Sequence, residues 1–411
     1  MRRLLALLAL LLSACAHEPR AFAPRGPVKT GLDVLEESRF RALQGKRVGL
    51  ITNQTGKDRR GRGIVEVLAG APGVTLAAVF SPEHGFTGTS EELAVSSSTL
   101  RLGGREVPVH SLYSGGLAGM RPSQEHLKGL DALVFDIQDI GARFYTYLAT
   151  MGMALEEAAK AGIEFVVLDR PDPVDGETVE GPVLEDLSLR AVTAIAYFRV
   201  PIRHGMTAGE MALLHNAEVK HPRLTVVRME GWERRMWFDQ TGLPWTRPSP
   251  NMPDLASATL YPGIACLEDT NLSVGRGTPA PFRWIGAPWL DGEALSKRLN
   301  ASRLEGIRFS PQDHTPAKSA HEGKLCHGVS MKVTDRLALR PFKVFVHIAA
   351  ALRDLHRAEF ELRWDETRRL VGSERFKALY DSGAAPEEIV RSFEEEARRF
   401  ASERRPYLLY R

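Results

Sequence analysis

The sequence predicts a mostly parallel α/β sheet domain followed by a smaller α+β domain, and three observations predict it. From about residue 46 to 230, short apolar runs rich in β-branched residues alternate with segments of helical period. Those runs are apolar at nearly every position, the pattern of strands in a parallel sheet covered on both faces. Beyond a proline-dense stretch, 244–253 (PWTRPSPNMP), the pattern changes to long helices mixed with isolated strands.

Arg47–Thr52 (RVGLIT) reads as the first strand, Ile64–Leu68 as a short helix and Thr75–Ser81 (TLAAVFS) as the second strand. Glu106–Leu112 reads as a short strand and Ala132–Ile137 (ALVFDI) as a strong one. Tyr147–Ala161 has apolar residues at helical spacing, and Glu164–Asp169 (EFVVLD) is again a strand. Thr207 followed by Glu210 is a capping box that starts a helix to Glu218, and Leu224–Arg228 closes the series. Proline fixes φ and removes a donor, so the four prolines of 244–253 make an extended, rigid stretch. The domain boundary is placed just before it, giving a catalytic domain over 31–243 and an auxiliary domain over 244–411. In the latter, strands are expected near Arg308 and at Val329–Thr334, and helices at Gly292–Asn300, Pro341–Leu355 and Pro386–Ser402.

The N-terminus reads as a targeting segment. Arg2 and Arg3 precede an apolar run, Leu4–Leu12, of signal-peptide length, and Leu12-Ser13-Ala14-Cys15 reads as a lipobox whose Cys15 takes the lipid. Residues 16–30, with Pro19, Pro24 and Pro27, read as a tether. The absence of Asp after Cys15 favours an outer-membrane anchor facing the periplasm. In that oxidising compartment Cys266 and Cys326 fit either one disulfide or two buried thiols.

Lys plus Arg number 54 against 51 Asp plus Glu, a formal net charge of +3 with no basic stripe, which argues against nucleic acid as a partner. Gly49 and Gly56 lack the spacing of a dinucleotide fingerprint, and no Walker A, G-x-S-x-G or H-E-x-x-H pattern occurs. No cofactor or metal is therefore expected.

In open α/β sheets ligands bind outside the carboxyl ends of the strands. Four of these strands end in polar groups: Asn53-Gln54-Thr55-Gly56, Pro82-Glu83-His84-Gly85, Asp136-Ile137-Gln138-Asp139 and Asp169-Arg170-Pro171. Carboxylates, a histidine, amides and arginines suit glycoside chemistry, where one group protonates the leaving oxygen and another stabilises oxocarbenium-like charge. Glu83 is the first candidate for the acid, with His84 orienting it or sharing its proton. Asp136 and Gln138 alternate along their strand and so face one side, placed for sugar hydroxyls or an acetamido group. Asn251 and the polar, glycine-rich run 268–278, with Glu268, Asn271, Arg276 and Thr278, read as a ligand wall supplied by the second domain. A non-catalytic sugar-binding lipoprotein is the competing reading of the same groups; it would not need Glu83.

The stretches GLITNQTG (49–56), SPEHGFTG (81–88), DIQDIGARFYTY (136–147), LDRPDP (168–173), VEGPVLE (179–185), HGMTAGE (204–210), PSPNMP (248–253), YPG (261–263), TNLSVGRGTPAPFRWIGAPW (270–289) and CHGV (326–329) resemble the exo-β-N-acetylmuramidases of the NamZ type. The resemblance runs from about Gly31 to Tyr410. It implies a Rossmann-like catalytic domain, an auxiliary domain, a site between them, and removal of N-acetylmuramic acid from the non-reducing end of muropeptides or disaccharides derived from peptidoglycan. It places Glu83 and Glu180 in catalytic stretches, Glu180 on a loop able to close over substrate. It puts Tyr145 and His204 among the substrate-binding candidates. The implied mechanism is substrate-assisted retention, with Gln138 or a carboxylate orienting the acetamido group and Arg143 or Arg276 meeting the lactyl carboxylate. Departures from the family pattern fall at Thr87, at Leu93-Ala94-Val95 and at Asp269.

Overall fold

In the computed structural model the described residues are 27–92 and 94–411. The signal segment, the lipobox with Cys15, most of the tether, and Leu93 lie outside them. Residues 28–30, expected in the tether, are docked: Val28 N–H donates to the Thr241 carbonyl, Lys29 bridges to Glu230, and Thr30 caps the first helix.

Helix α1 (Gly31–Glu37) starts in a capping box of Thr30 and Asp33. Then come β1 (Arg47–Thr52), α2 (Ile64–Ala69), β2 (Thr75–Ser81), β3 (Ser98–Leu102), β4 (Arg105–Ser111), α3 (Gln124–Leu127), β5 (Ala132–Asp136), α4 (Thr146–Ala161) and β6 (Glu164–Leu168). A two-stranded hairpin, β7 (Glu180–Val183) and β8 (Pro201–Arg203), precedes α5 (Ala208–Val219) and β9 (Leu224–Val227). The capping box expected at Thr207 and Glu210 is present.

The main sheet has the order β3-β4-β2-β1-β5-β6-β9, parallel throughout except for the β3–β4 pair. Set β3 aside and the parallel strands run 3-2-1-4-5-6 in chain order, the Rossmann arrangement. Side chains alternate between two cores, as strand geometry requires. Val48, Leu50, Val134, Val166 and Leu168 face α1 and α2. Ile51, Leu133, Phe135, Phe165 and Val167 face α4 and α5. Strand β3 is not visible as a run in the sequence because it is an exposed antiparallel edge (STLRL) with little to bury.

The second unit contains α6 (Leu255–Ile264), β10 (Trp284–Ala287), α7 (Gly292–Ala301), β11 (Ile307–Pro311), β12 (His327–Val333), α8 (Pro341–Leu355), α9 (Trp364–Val371), α10 (Glu374–Asp381) and α11 (Pro386–Glu403). Its antiparallel sheet has the order β10-β12-β11. Helix α6 lies so near α8 that a Cβ on Gly263 would sit 1.9 Å from the Pro341 carbonyl oxygen, so only glycine fits there. The core behind β5 and α4 continues without a break into α6, β10, β12 and α8, so the two units share one apolar interior. Cys266 and Cys326 are both buried and unpaired.

Candidate active site

The crevice between β1 and β5, where the strand order reverses, is the usual ligand position in this fold. Here side chains plug it. Asp136, fully buried at the end of β5, accepts from Arg170 Nε at 2.5 Å and from Arg170 Nη2 at 2.9 Å. Arg170 also donates to the Lys57 carbonyl. Only about 20 Å³ is left open there, under Phe238, Leu243 and Pro244. Gln138 Nε2 is committed to the Asp139 and Pro171 carbonyls at 2.8 and 2.7 Å. Asn53 Oδ1 accepts from Thr55 N–H and Oγ1, which shapes the turn after β1. Asp136 and Gln138, expected to hold sugar groups, are thus bound within the fold; Asn53 is bound through Oδ1 while its buried Nδ2 has no hydrogen-bond partner among the described residues, and none of the three lines the cavity described next.

That cavity, about 350 Å³, opens beside the plugged crevice, between the carboxyl edge of the main sheet and the second unit. Its size falls at the lower end of the range of about 300–1,000 Å³ for small-ligand sites. Glu83 and His84 enter from the end of β2; Phe144, Tyr145, Thr146 and Tyr147 from the start of α4; Ser249 and Asn251 from the proline-rich stretch. Tyr261, Glu268, Asp269, Arg276 and Phe282 close the far wall, with Ile195 and Leu370 at the edge. Of the residues expected from sequence, Glu83, His84, Tyr145, Asn251, Glu268 and Arg276 are brought together.

Glu83 is held by two hydroxyls. Tyr113 Oη donates to its Oε1 at 2.9 Å, and Thr146 Oγ1 donates to its Oε2. His84 does not orient it, contrary to expectation. With φ at 69°, His84 turns its ring toward the following loop, where Nδ1–H donates to the Ser90 carbonyl at 2.7 Å. A carbonyl only accepts, so Nδ1 carries the hydrogen; this selects the tautomer of the neutral ring, in which Nε2 is the lone-pair acceptor. Glu268 Oε1 accepts from Arg276 Nε at 2.5 Å, and the guanidinium lies over the Phe282 ring, 5.4 Å from its centroid. Burial alone would lower the Arg276 pKa; Glu268 outweighs it and holds the charge in place. Burial raises the Asp269 carboxyl, with Arg369 opposing and Glu366 adding to the shift. Asn251 Nδ2 donates to Glu91 at 2.7 Å, and Glu91 in turn pairs with Lys318 of the second unit.

Arg143 cannot meet a ligand carboxylate. It is buried, and its guanidinium donates to the Pro182, Val200 and Leu370 carbonyls at 2.9, 3.1 and 2.5 Å, tying the β7–β8 hairpin to α9. Desolvation brings its pKa down to about 10. Glu180, expected in a catalytic stretch, lies outside this cavity and caps a helix. Its Oε1 accepts from the Lys343 N–H in the first turn of α8, whose own N-cap residue, Arg340, offers no side-chain bond. Glu180 faces a separate groove of about 430 Å³ between β7, α8 and α11. Burial, only partly offset by Arg203, pushes its carboxyl up to about 7.

His204 is fully buried; its Nδ1 accepts from Met206 N–H, so Nε2 carries the hydrogen, 3.9 Å from Asp139. Burial, with Arg404, Arg143 and Arg203 nearby, takes its pKa down to about 3, which keeps it neutral. Asn271 staples the Glu359–Glu361 segment through both ends of its amide. Thr278 closes a turn onto the Gly275 carbonyl. His204, Asn271 and Thr278 therefore shape the fold around the site without lining it. Arg170 is structural, paired with Asp136 on the neighbouring strand. Thr146, Tyr147, Tyr261 and Asp269 escaped selection although each stood in or beside a quoted motif. Tyr113, Ile195 and Leu370 carried no signal, being brought in from distant parts of the chain.

Sequence models of two domains match nearly the whole described chain: "Exo-beta-N-acetylmuramidase NamZ, N-terminal" over residues 48–256 and the corresponding C-terminal domain over 259–410. The chain is 40% identical over 402 residues to the peptidoglycan β-N-acetylmuramidase NamZ of Bacillus subtilis (strain 168), covering 97% of this chain and 95% of that protein. Two crystal structures from Bacteroides fragilis, both described as DUF1343 family proteins, are similar in fold. One has a TM-score of 0.83 at 35% identity, covering 94% of this chain and all of that one. The other has a TM-score of 0.72 at 28% identity, covering 94% and 99%.

Proposed function

The chain belongs to the exo-β-N-acetylmuramidase NamZ family, and from that premise we propose that it removes N-acetylmuramic acid from the non-reducing ends of peptidoglycan fragments. It is a glycosidase. The observation that carries the reading is the cavity at the strand ends: about 350 Å³, with two tethered carboxylates, Glu83 and Glu268, a third carboxyl, Asp269, and, among the described residues that line it, one cation, Arg276. Room of that order suits one terminal sugar ring and not a polymer lying across it, which is what exo-action requires. The side chains of Tyr145, Tyr261 and Phe282 give the cavity aromatic walls.

Substrate-assisted retention is the mechanism we infer. The 2-acetamido oxygen of the sugar attacks the anomeric carbon, the bond from that carbon to the leaving oxygen breaks, and an acid group gives the leaving oxygen a proton. Water then attacks the anomeric carbon from the face the leaving group vacated, breaking its bond to the acetamido oxygen and giving a proton to the carboxylate that had acted as acid, so the original configuration returns. Glu83 is assigned to proton transfer. Its two hydroxyl partners occupy one acceptor site on each oxygen and leave one on each for substrate. With Arg143 committed to carbonyls, Arg276 is the residue assigned to the lactyl carboxylate. The lipobox at Leu12–Cys15 supports a lipid-anchored enzyme at the periplasmic face of the outer membrane.

A chromogenic β-N-acetylmuramide and the matching glucosaminide, offered side by side, test the assignment. Release from the muramide is expected; release from the glucosaminide alone refutes it. Loss of lipid labelling and of membrane association in Cys15→Ala tests the anchor.

A further inference from the structure

The geometry points to Tyr113 as a positioning residue for the muramidase reaction, gripping the Glu83 carboxyl from behind the cavity while Thr146 grips it from the front. This rests on the reading of Glu83 as a group that meets the reacting sugar. Three separate elements make the grip. Glu83 follows β2, Tyr113 lies two residues beyond β4, the strand beside β2, and Thr146 is the first residue of α4. Among the described residues these are the two side chains that hydrogen-bond the carboxyl, one to each oxygen. Thr146 lines the cavity and Tyr113 does not.

Tyr113 is itself fixed at both ends of its peptide unit. Its N–H donates to Ser111 Oγ at 3.0 Å, and its carbonyl accepts from Val95 N–H at 2.7 Å. The phenol is half-buried, and burial with the adjacent Glu83 charge raises its pKa, so it keeps its proton and acts as a donor. A glutamate side chain has three rotatable bonds. Two donors on a rigid frame select one arrangement of them, and a single donor leaves the carboxyl free to swing about the remaining contact. Misplacement on the scale of an ångström is enough to slow a reaction about 100-fold without weakening binding of the ground state.

The purified full chain is assayed on a natural disaccharide ending in N-acetylmuramic acid, whose sugar leaving group needs a proton, as wild type, Tyr113→Phe, Thr146→Val and Thr146→Ser, with thermal melting recorded for each. Tyr113→Phe is expected to lower kcat roughly 10- to 100-fold with KM within about twofold of wild type, the mark of a lost transition-state arrangement. Thr146→Val is expected to lose as much and Thr146→Ser to restore most of it, because serine keeps the hydroxyl. A Tyr113→Phe enzyme with wild-type kcat overturns the assignment, as does a rise in KM at constant kcat. If Tyr113→Phe does not fold, the Thr146 pair decides: equal damage in Val and Ser overturns the grip. A wild type that leaves both this disaccharide and the chromogenic muramide intact sinks the muramidase reading itself and this assignment with it.

Discussion

Replacing Glu83 by Gln separates catalysis from structure at the centre of the proposed site. The carboxyl accepts one hydroxyl on each oxygen. An amide keeps one acceptor, and on its nitrogen side the hydroxyl must turn to accept instead of donate, so at most one of the two contacts is lost. At the half-sheltered edge of a cavity, one hydrogen bond costs about 1 kcal/mol of stability. General acid–base catalysis contributes about 10²–10⁴-fold, or roughly 3–5 kcal/mol of barrier. Glu83→Gln should therefore melt close to wild type, still bind N-acetylmuramic acid, and turn over a natural disaccharide at least about 100-fold more slowly. The leaving group then identifies the role. If Glu83 donates the proton, an aryl muramide whose leaving group departs without one should recover most of the lost rate. If Glu83 orients the acetamido group, the aryl substrate should suffer as much as the disaccharide. A variant that hydrolyses the disaccharide within roughly threefold of the wild-type kcat would refute the placement of Glu83 in the reaction.

Arg276→Ala should raise KM for the muramide about 10- to 100-fold, the value of a charge-assisted contact to the lactyl carboxylate. KM for the matching glucosaminide should hardly change, and equal loss on both substrates would count against lactyl recognition. Asp136→Asn or Arg170→Leu should destabilise the fold by about 3–5 kcal/mol in urea titrations, because each leaves a buried partner uncompensated. A stable but inactive Asp136→Asn would return Asp136 to the substrate. Glu180 titrates near 7 in the folded chain, above its ordinary 4.5, so between those values the native state holds a proton the unfolded chain has released. Its contribution is complete below about pH 4.5 and is lost as pH rises through 7. Glu180→Gln, which keeps the acceptor for α8, should gain on wild type by up to about 3 kcal/mol from acidic to mildly alkaline buffer, read as the difference between two chemical melts. A pH-independent difference would refute the buried-cap account.

The alternation of apolar runs and helical segments is local in the chain, so the strands of the parallel sheet were legible from Arg47 to Val227, as was the Thr207–Glu210 cap. Strand β3 and hairpin β7–β8 were not, because an exposed edge and short pairings carry no apolar run. Helices α6, α9 and α10 were also missed. Much of α9 and α10 is polar, and α6 is apolar all round, which blurs its period.

The sequence by itself determined the fold class, the edge of the sheet to which polar groups are delivered, and the motifs that carry the family. Tertiary structure alone decided which polar groups there are free. Asp136 and Arg170 are 34 residues apart in sequence, and their ion pair closes the crevice at which their strand ends point. Arg143 has the charge to meet a carboxylate, yet three distant carbonyls use it. Residue type fixes what a side chain is able to do; its partners, set by contacts between remote segments, fix whether it is left to do it.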